Sequence, residues 1–484
     1  MKALVGIDLG TTGARVVAYD LSGRVIASGR SVIRRQTTED WIGALVEATP
    51  SERLGCLKPE EKMVTVDSTS GTAVLVDERG TPVFPPMMYY ERAAREFAEL
   101  RRCGSSRELE GRGVRVSPTS PLPKIMRAMR SDPDAFGRVR WILPATTWLL
   151  YRLRYDEADR WEGVETDWTN ALKFGEDITA ARPRWFAPIF EDAGIPLRLL
   201  PSISPCGTFI GLARGRLARR LGLEGARLYN GMTDGNASAL AAGCLTLGNF
   251  SIGCGTTTVP KFVCGDLKPH PAIYYHKHPI EGYLAGAAPV TGGMLDWVAD
   301  KVFGISTREA FSLAEEAEAG QEHPYFPQGD RSPFDDPRLG AALLGLWPED
   351  RPRGEVRGRI FRSMLLGIAF LEYFYIRLFE ELFGVEIPIV NITGGGTRSR
   401  LWNTIRASVY ERPVRIMEGR VTMGALIPVA LKLGVFKDPD EVLRTLLRVT
   451  ETVSPDRGLS ERYRRLRDTF YDRWRALRRV VGAA

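Results

Sequence analysis

The chain has 484 residues, 44% hydrophobic and 26% charged, which excludes a disulfide-stapled miniprotein, a disordered tail and a fibre and leaves room for two or three domains. Cys56, Cys103, Cys206, Cys244, Cys254 and Cys264 form no CxxC pair, so neither a zinc knuckle nor a thioredoxin-type redox motif is present. The net charge of +7 is local: between Arg457 and Arg479 nine arginines against Glu461, Asp468 and Asp472 leave +6, and the remainder is close to neutral.

In chain order, Ala3 to Ile7, Arg15 to Tyr19 and Val25 to Ser28 read as three strands of a meander, the last two joined at Ser22-Gly23. Asp8 interrupts the apolar start too early for a signal peptide, and the cytoplasm is the expected compartment. Met63 to Val66 and Ala73 to Val76 are two more strands flanking the polar loop Asp67-Ser68-Thr69-Ser70-Gly71-Thr72. Helical patterns run from Glu91 to Arg102 and from Lys124 to Met129, a strand-then-helix order that predicts an α/β domain with a mixed sheet. A second block of the same character follows Gly243. Phe250 to Ile252 and Thr257 to Phe262 are strand-like, the helix Phe361 to Phe383 precedes the apolar strand Ile387 to Ile392, and Leu401 to Tyr410 is helical. Glu372 and Arg377 argue against a membrane span in the apolar stretch from Ser363 to Phe379. Domains are therefore expected over 1–245 and 246–484, and Gly10-Thr11-Thr12 is echoed by Gly255-Thr256-Thr257. In the basic tail, Tyr463, Leu466, Phe470, Trp474, Leu477 and Val481 recur as the stripe of an amphipathic helix docked on the body. No aromatic-basic repeat or nucleic-acid motif accompanies its charge, so a nucleic-acid partner is not expected.

Three segments carry candidate chemistry. Around Gly6-Ile7-Asp8-Leu9-Gly10-Thr11-Thr12-Gly13-Ala14-Arg15, a strand delivers Asp8 to a turn whose small residues leave backbone N–H groups free to face an anion. Polyphosphate fits that geometry, with Asp8 holding hydrated Mg²⁺; an ordinary Gly-Thr hairpin fits the same residues. No GxxxxGK[ST] occurs, and no GxGxxG follows a strand, so phosphate binding needs another architecture. Asp234, at the start of the small-residue helix after Gly231-Met232-Thr233, is either an N-cap or an ionised general base for a hydroxyl. Thr393-Gly394-Gly395-Gly396-Thr397-Arg398-Ser399 with Trp402 forms a strand-to-helix turn where backbone can approach a flat ligand. His276 and His278 alternate on a strand without a third metal ligand, which favours structural hydrogen bonding.

The order of these motifs, with Leu75 to Pro82, Thr166-Asp167-Trp168-Thr169-Asn170-Ala171 and Ser251-Ile252-Gly253, resembles the FGGY carbohydrate kinases of the actin-like, sugar-kinase ATPase superfamily. Within it the Asp67 loop, Tyr275-His276-Lys277, Ala285-Gly286-Ala287 and Tyr325-Phe326-Pro327 are most similar to ketopentose kinases of the D-ribulose kinase and xylulokinase type. The resemblance implies two actin-like (ribonuclease H-like) α/β domains, each a mixed sheet flanked by helices, around a cleft, with sugar held by the N-terminal domain and ATP by the C-terminal one. By the same resemblance Asp8 organises Mg²⁺ through water beside Thr11, Thr12, Gly13 and Arg15, and Asp234 accepts the proton of the sugar hydroxyl. Gly255 and Thr256 approach the ATP phosphates, Gly395, Gly396, Ser399 and Trp402 form the adenosine side, and Ser70 and Glu91 frame the sugar. The phosphate loop here is Gly253-Cys254-Gly255-Thr256-Thr257-Thr258, Tyr89-Tyr90-Glu91 stands where Trp-x-Asp is expected, and Leu366-Gly367 where an acid precedes glycine. The implied enzyme is a monomeric or homodimeric ATP:sugar kinase of D-ribulose or D-xylulose. The alternatives are glycerol, another polyol or gluconate as substrate, or a nucleotide-binding sensor without turnover.

Overall fold

Strand β1 (Ala3–Leu9) is apolar but for Asp8, and nearly every residue of it is buried, the signature of a central strand covered on both faces. The computed structural model describes residues 2–348 and 351–482, without the side chains of 481 and 482. They pack as two units: Met1–Ala241 with Tyr275–Tyr283 and Arg420–Leu447, and Ala242–Tyr274 with Leu284–Gly419 and Arg448–Ala484.

In the first unit β1 lies between β2 (Gly13–Tyr19), antiparallel, and β4 (Lys62–Ser68), parallel. The sheet continues outward to β3 (Val25–Val32) on one side, and to β6 (Arg227–Tyr229) and the antiparallel β5 (Phe209–Leu212) on the other. A short strand β7 (Met232–Thr233) also pairs parallel with β4. Helix α1 (Thr38–Ala48) packs on β2 and β3, capped by the Thr37 hydroxyl accepting from Asp40 N–H. Four further helices matter to the site: α2 (Pro121–Ser131), α3 (Ala145–Arg154), α4 (Trp168–Phe174) and α5 (Asp234–Ala241).

The second unit repeats the pattern. Strand β8 (Phe250–Cys254) pairs antiparallel with β9 (Thr258–Cys264) and parallel with β10 (Val390–Thr393), followed by the parallel β11 (Val414–Met417) and antiparallel β12 (Val449–Val453). The sequence of pairings matches β2-β1-β4-β6-β5. The echoed triplets therefore have a structural basis: Gly10-Thr11-Thr12 and Gly255-Thr256-Thr257 both lie at the turn between the first two antiparallel strands of their sheets. Helix α6 (Arg353–Phe383) spans 31 residues and α7 (Arg400–Tyr410) lies against it. Between them Glu372 accepts from Arg406 at 2.9 and 3.0 Å and from Tyr410 Oη at 2.5 Å, all fully buried.

Helix α8 (Val421–Lys432) belongs to the first unit and packs on β1, β4 and α5. Glycine permits that approach: a Cβ on Gly6 would press on Thr422 O, and one on Gly424 would overlap Ala237 O. The basic tail forms two helices, α9 (Arg457–Asp468) and α10 (Phe470–Gly482), rather than one continuous stripe. Thr469 ends α9, and Phe470 and Trp474 then turn inward against Phe370 and Phe334, with centroids 5.5 and 4.8 Å apart. Tyr463 is buried as expected, Leu466 remains 36% exposed, and the side chain of Val481 lies outside the described residues. No helix among the described residues is long and apolar enough to cross a membrane.

Candidate active site

Three carboxylates meet at the C-terminal ends of neighbouring strands in the first unit. Asp8 on β1 pairs in register with Asp67 on β4, and β7 aligns Met232 with Asp67 and Thr233 with Ser68, so Asp234 begins α5 beside them. Asp8 is 17% exposed, and its nearest cationic partner, Arg15 Nη1, donates from 3.5 Å. Burial first, and then the negative charge of Asp234, raise the Asp8 pKa to about 6, against the opposing pull of Arg15 and a hydrogen bond with Asp67. Asp67 is fully buried, and its pKa is pushed well up by burial and by the charges of Asp8 and Asp234. Apart from that contact with Asp8, neither Asp67 oxygen has a hydrogen-bond partner among the described residues. Asp234 Oδ1 accepts from the N–H of Gly235 at 2.7 Å.

Buried polar groups fix the α5 entry. Asp167 caps α4, accepting from the N–H groups of Thr169 and Asn170 and from their side chains. Thr169 Oγ1 in turn accepts from Thr233 N–H at 3.0 Å, directly before Asp234. Asn170 also donates to Thr146 Oγ1, which is 2.6 Å from Ser68 Oγ, while Asn236 bonds Thr233 Oγ1 and His276 Nδ1 at 2.7 and 3.2 Å. His278 Nδ1 accepts from the N–H groups of Ile280 and Glu281, so both histidines have structural hydrogen bonds. Among the described residues no group of three or more His, Cys, Asp or Glu is placed to hold a metal ion.

The other expected residues of this unit lie around the same strand ends. Thr11 and Thr12 form the β1–β2 turn, closed by Gly10 N–H donating to Gly13 O, with Gln36 Nε2 donating to Thr11 O at 2.6 Å. Ser70 has a buried hydroxyl with no partner among the described residues, and its carbonyl accepts from Lys173 Nζ. Both oxygens of Glu91 are engaged, by Met88 N–H and by Arg127. Lys124, fully buried on α2, donates to the carbonyls of Gly71, Met87 and Met88 and so ties the Ser70 loop to the Glu91 loop. Burial lowers the Lys124 pKa to about 8.

In the second unit Gly255 and Thr256 are exposed at the β8–β9 turn, with Gly292 and Gly293 packed so closely that a Cβ on Gly292 would overlap Gly255 O. Gly394, at φ 98°, turns the chain after β10, where a Cβ would stand 2.6 Å from Cys254 O. Gly394 and Gly395 are exposed, Gly396 rests on the Trp402 ring, and Ser399 Oγ caps α7 by accepting from Trp402 N–H. Trp402 itself is 3% exposed, donates to Leu365 O and lies 3.7 Å under the Arg406 guanidinium, which also reaches Gly396 O. It is the floor of the glycine turn. A depression of about 700 Å³ bounded by Asp296, Trp297, Lys301 and Thr307 contains none of the expected nucleotide residues.

Models of the N-terminal and C-terminal domains of the FGGY family of carbohydrate kinases match residues 3–241 and 251–428. The chain belongs to the FGGY family. This FGGY kinase is 22% identical to a xylulose kinase of Staphylococcus epidermidis, over 98% of each chain. Its fold superimposes on the crystal structure of xylulose kinase from Rhodospirillum rubrum with a TM-score of 0.85, at 23% identity over 99% of this chain and 100% of that one. Gluconate kinase from Lactobacillus acidophilus gives the same TM-score at 18% identity, over 100% and 99% of the two chains. The expected two-domain actin-like α/β fold and ATP-dependent sugar phosphotransferase class follow from this membership. Asp67, Asn236 and Lys124 lie beside the expected residues of this FGGY kinase, and the sequence motifs give none of the three a role. Asp67 opens a loop that carries the resemblance, and its register against Asp8 places it in the acid cluster.

Proposed function

We propose that this FGGY kinase transfers the γ-phosphoryl group of ATP to the primary hydroxyl of a ketopentose, D-ribulose or D-xylulose. The observation that carries the reading is the convergence of Asp8 and Asp234, distant in sequence, on the two sides of Asp67 at one sheet end. Transfer of this group passes through a loose transition state, so catalysis is mostly alignment and charge neutralisation. Asp234 orients the attacking hydroxyl and takes its proton, a role that contributes about 10²–10⁴-fold. Its carboxylate begins α5, where the helix dipole favours the charged form a base needs. Ser70, with its unpartnered hydroxyl, faces the sugar, and Glu91 braces its edge through Met88 and Arg127.

A surplus of carboxylate oxygen against one loosely held arginine suits a hard cation, and Asp8 would hold Mg²⁺ through water. When bound, Mg²⁺ neutralises charge on the phosphate oxygens. Thr11, Thr12, Gly13 and Arg15 add donors toward the phosphates from the β1–β2 turn. Gly255 and Thr256 offer exposed backbone at the β8–β9 turn for the nucleotide, and the turn of Gly395, Gly396 and Ser399, floored by Trp402, takes the adenosine. The six free cysteines and the need for ATP support action in the cytoplasm.

The likeness to gluconate kinase favours a second reading with a sugar acid as acceptor. ADP release measured across ketopentoses, polyols and aldonates separates them. The proposal expects the highest kcat/KM with D-ribulose or D-xylulose, and a preference for gluconate or glycerol would overturn it.

A further inference from the structure

Asp67 is a fully buried carboxyl group whose one polar neighbour is another carboxyl, that of Asp8. Neither of its oxygens accepts a hydrogen bond from a donor group among the described residues, and its strand register places it between Asp8 and the start of α5. The hydroxyls closest in sequence are turned elsewhere: Ser68 Oγ to Thr146 Oγ1 at 2.6 Å, Thr69 Oγ1 to Thr72 Oγ1 at 2.7 Å, and Thr65 Oγ1 to Tyr229 O. The amines of the neighbouring loop are also committed, Lys124 to three backbone carbonyls and Lys173 to Ser70 O. Arg15, the cation that Asp8 contacts, is 57% exposed and reaches Asp8 only at 3.5 Å. A buried carboxyl group whose only polar neighbour is another carboxyl is costly to keep, and structures that keep one do so for a ligand or for chemistry.

The missing partner has a definite chemical class. Two carboxylates in register on adjacent parallel strands, one fully buried and one partly exposed, are the protein share of a magnesium site, which takes one or two carboxylates and completes its octahedron with solvent and substrate. We infer that Asp67 and Asp8 form a carboxylate pair that holds the divalent cation, with Asp67 supplying the inner, solvent-shielded half of its charge. The inference rests on the reading of Asp8 as the magnesium residue and adds to it a second residue, on a different strand. It also gives the buried acid a reason to persist.

Mn²⁺ binding to the full chain, followed by electron paramagnetic resonance with and without ADP, tests the assignment in wild type, Asp8→Asn and Asp67→Asn. Melting temperature in metal-free buffer is the second readout. The pair predicts that Asp67→Asn weakens Mn²⁺ binding about tenfold or more, as Asp8→Asn does, and that Asp67→Asn melts higher than wild type without metal, because the unfavourable crowding of the Asp8, Asp67 and Asp234 carboxyl groups is relieved. Wild-type Mn²⁺ affinity in Asp67→Asn alone overturns the role of Asp67 and leaves that of Asp8 standing; wild-type affinity in both variants removes both. A lower metal-free melting temperature in Asp67→Asn and also in Asp67→Ser would make Asp67 a structural acid and overturn the inference as well.

Discussion

Glu176 shows how strongly single buried groups are perturbed around the site. Its Oε2 has no hydrogen-bond partner among the described residues, and burial raises its pKa well above 4.5, with Lys277 pulling the other way. The folded protein therefore binds the Glu176 proton more tightly than the unfolded chain does. Its stabilising share is complete below the unfolded pKa and is lost as pH rises through the folded value. Glu176→Gln, which mimics the protonated form, should raise the melting temperature more at pH 8 than at pH 5. An equal gain at both pH values, or a loss at pH 8, would contradict this. Lys124 and Asp167 carry their charges differently, each enclosed by several partners that hold backbone in place.

At the scale of elements, α5 is positioned by close packing. Its small residues, and Gly424 on α8, bring the two helices into backbone contact. Gly424→Ala should destabilise the protein by about 1–3 kcal/mol and lower kcat, since α5 carries Asp234; denaturant unfolding with an unchanged midpoint would show that the contact tolerates a methyl group. This dependence on packing marks the limit of what the sequence discloses. Strands β1, β2 and β4 were legible because each holds a short stretch rich in apolar, β-forming residues, and Asp8 and Asp234 because each stands at a change of pattern. The helix expected from Glu91 begins only at Ala94, because the Glu91 carboxylate folds back to Met88 N–H. The strand expected from Ile387 begins at Val390, after Glu380 has taken the Ile387 N–H. Asp67 reads in the sequence only as the first residue of a polar loop, with no role of its own, since strand register is a tertiary property.

Over the whole molecule, two sheets with the same order of parallel and antiparallel pairs present the same kind of turn, one beside the acid cluster and one beside the glycine-rich nucleotide candidates. Phosphoryl transfer from nucleotide to sugar requires both ligands to share one water-excluded space. Ketopentose together with a non-hydrolysable ATP analogue should therefore reduce the radius of gyration seen by small-angle scattering, and superimposable curves would argue for a rigid enzyme. The central claim is narrower, that Asp234 is the base for the acceptor hydroxyl. It is tested most directly by single-turnover phosphorylation in Asp234→Asn, with ADP binding measured on the same sample. The account predicts a fall of at least about 10²-fold in the chemical step with ADP affinity retained. A near-normal single-turnover rate would contradict it.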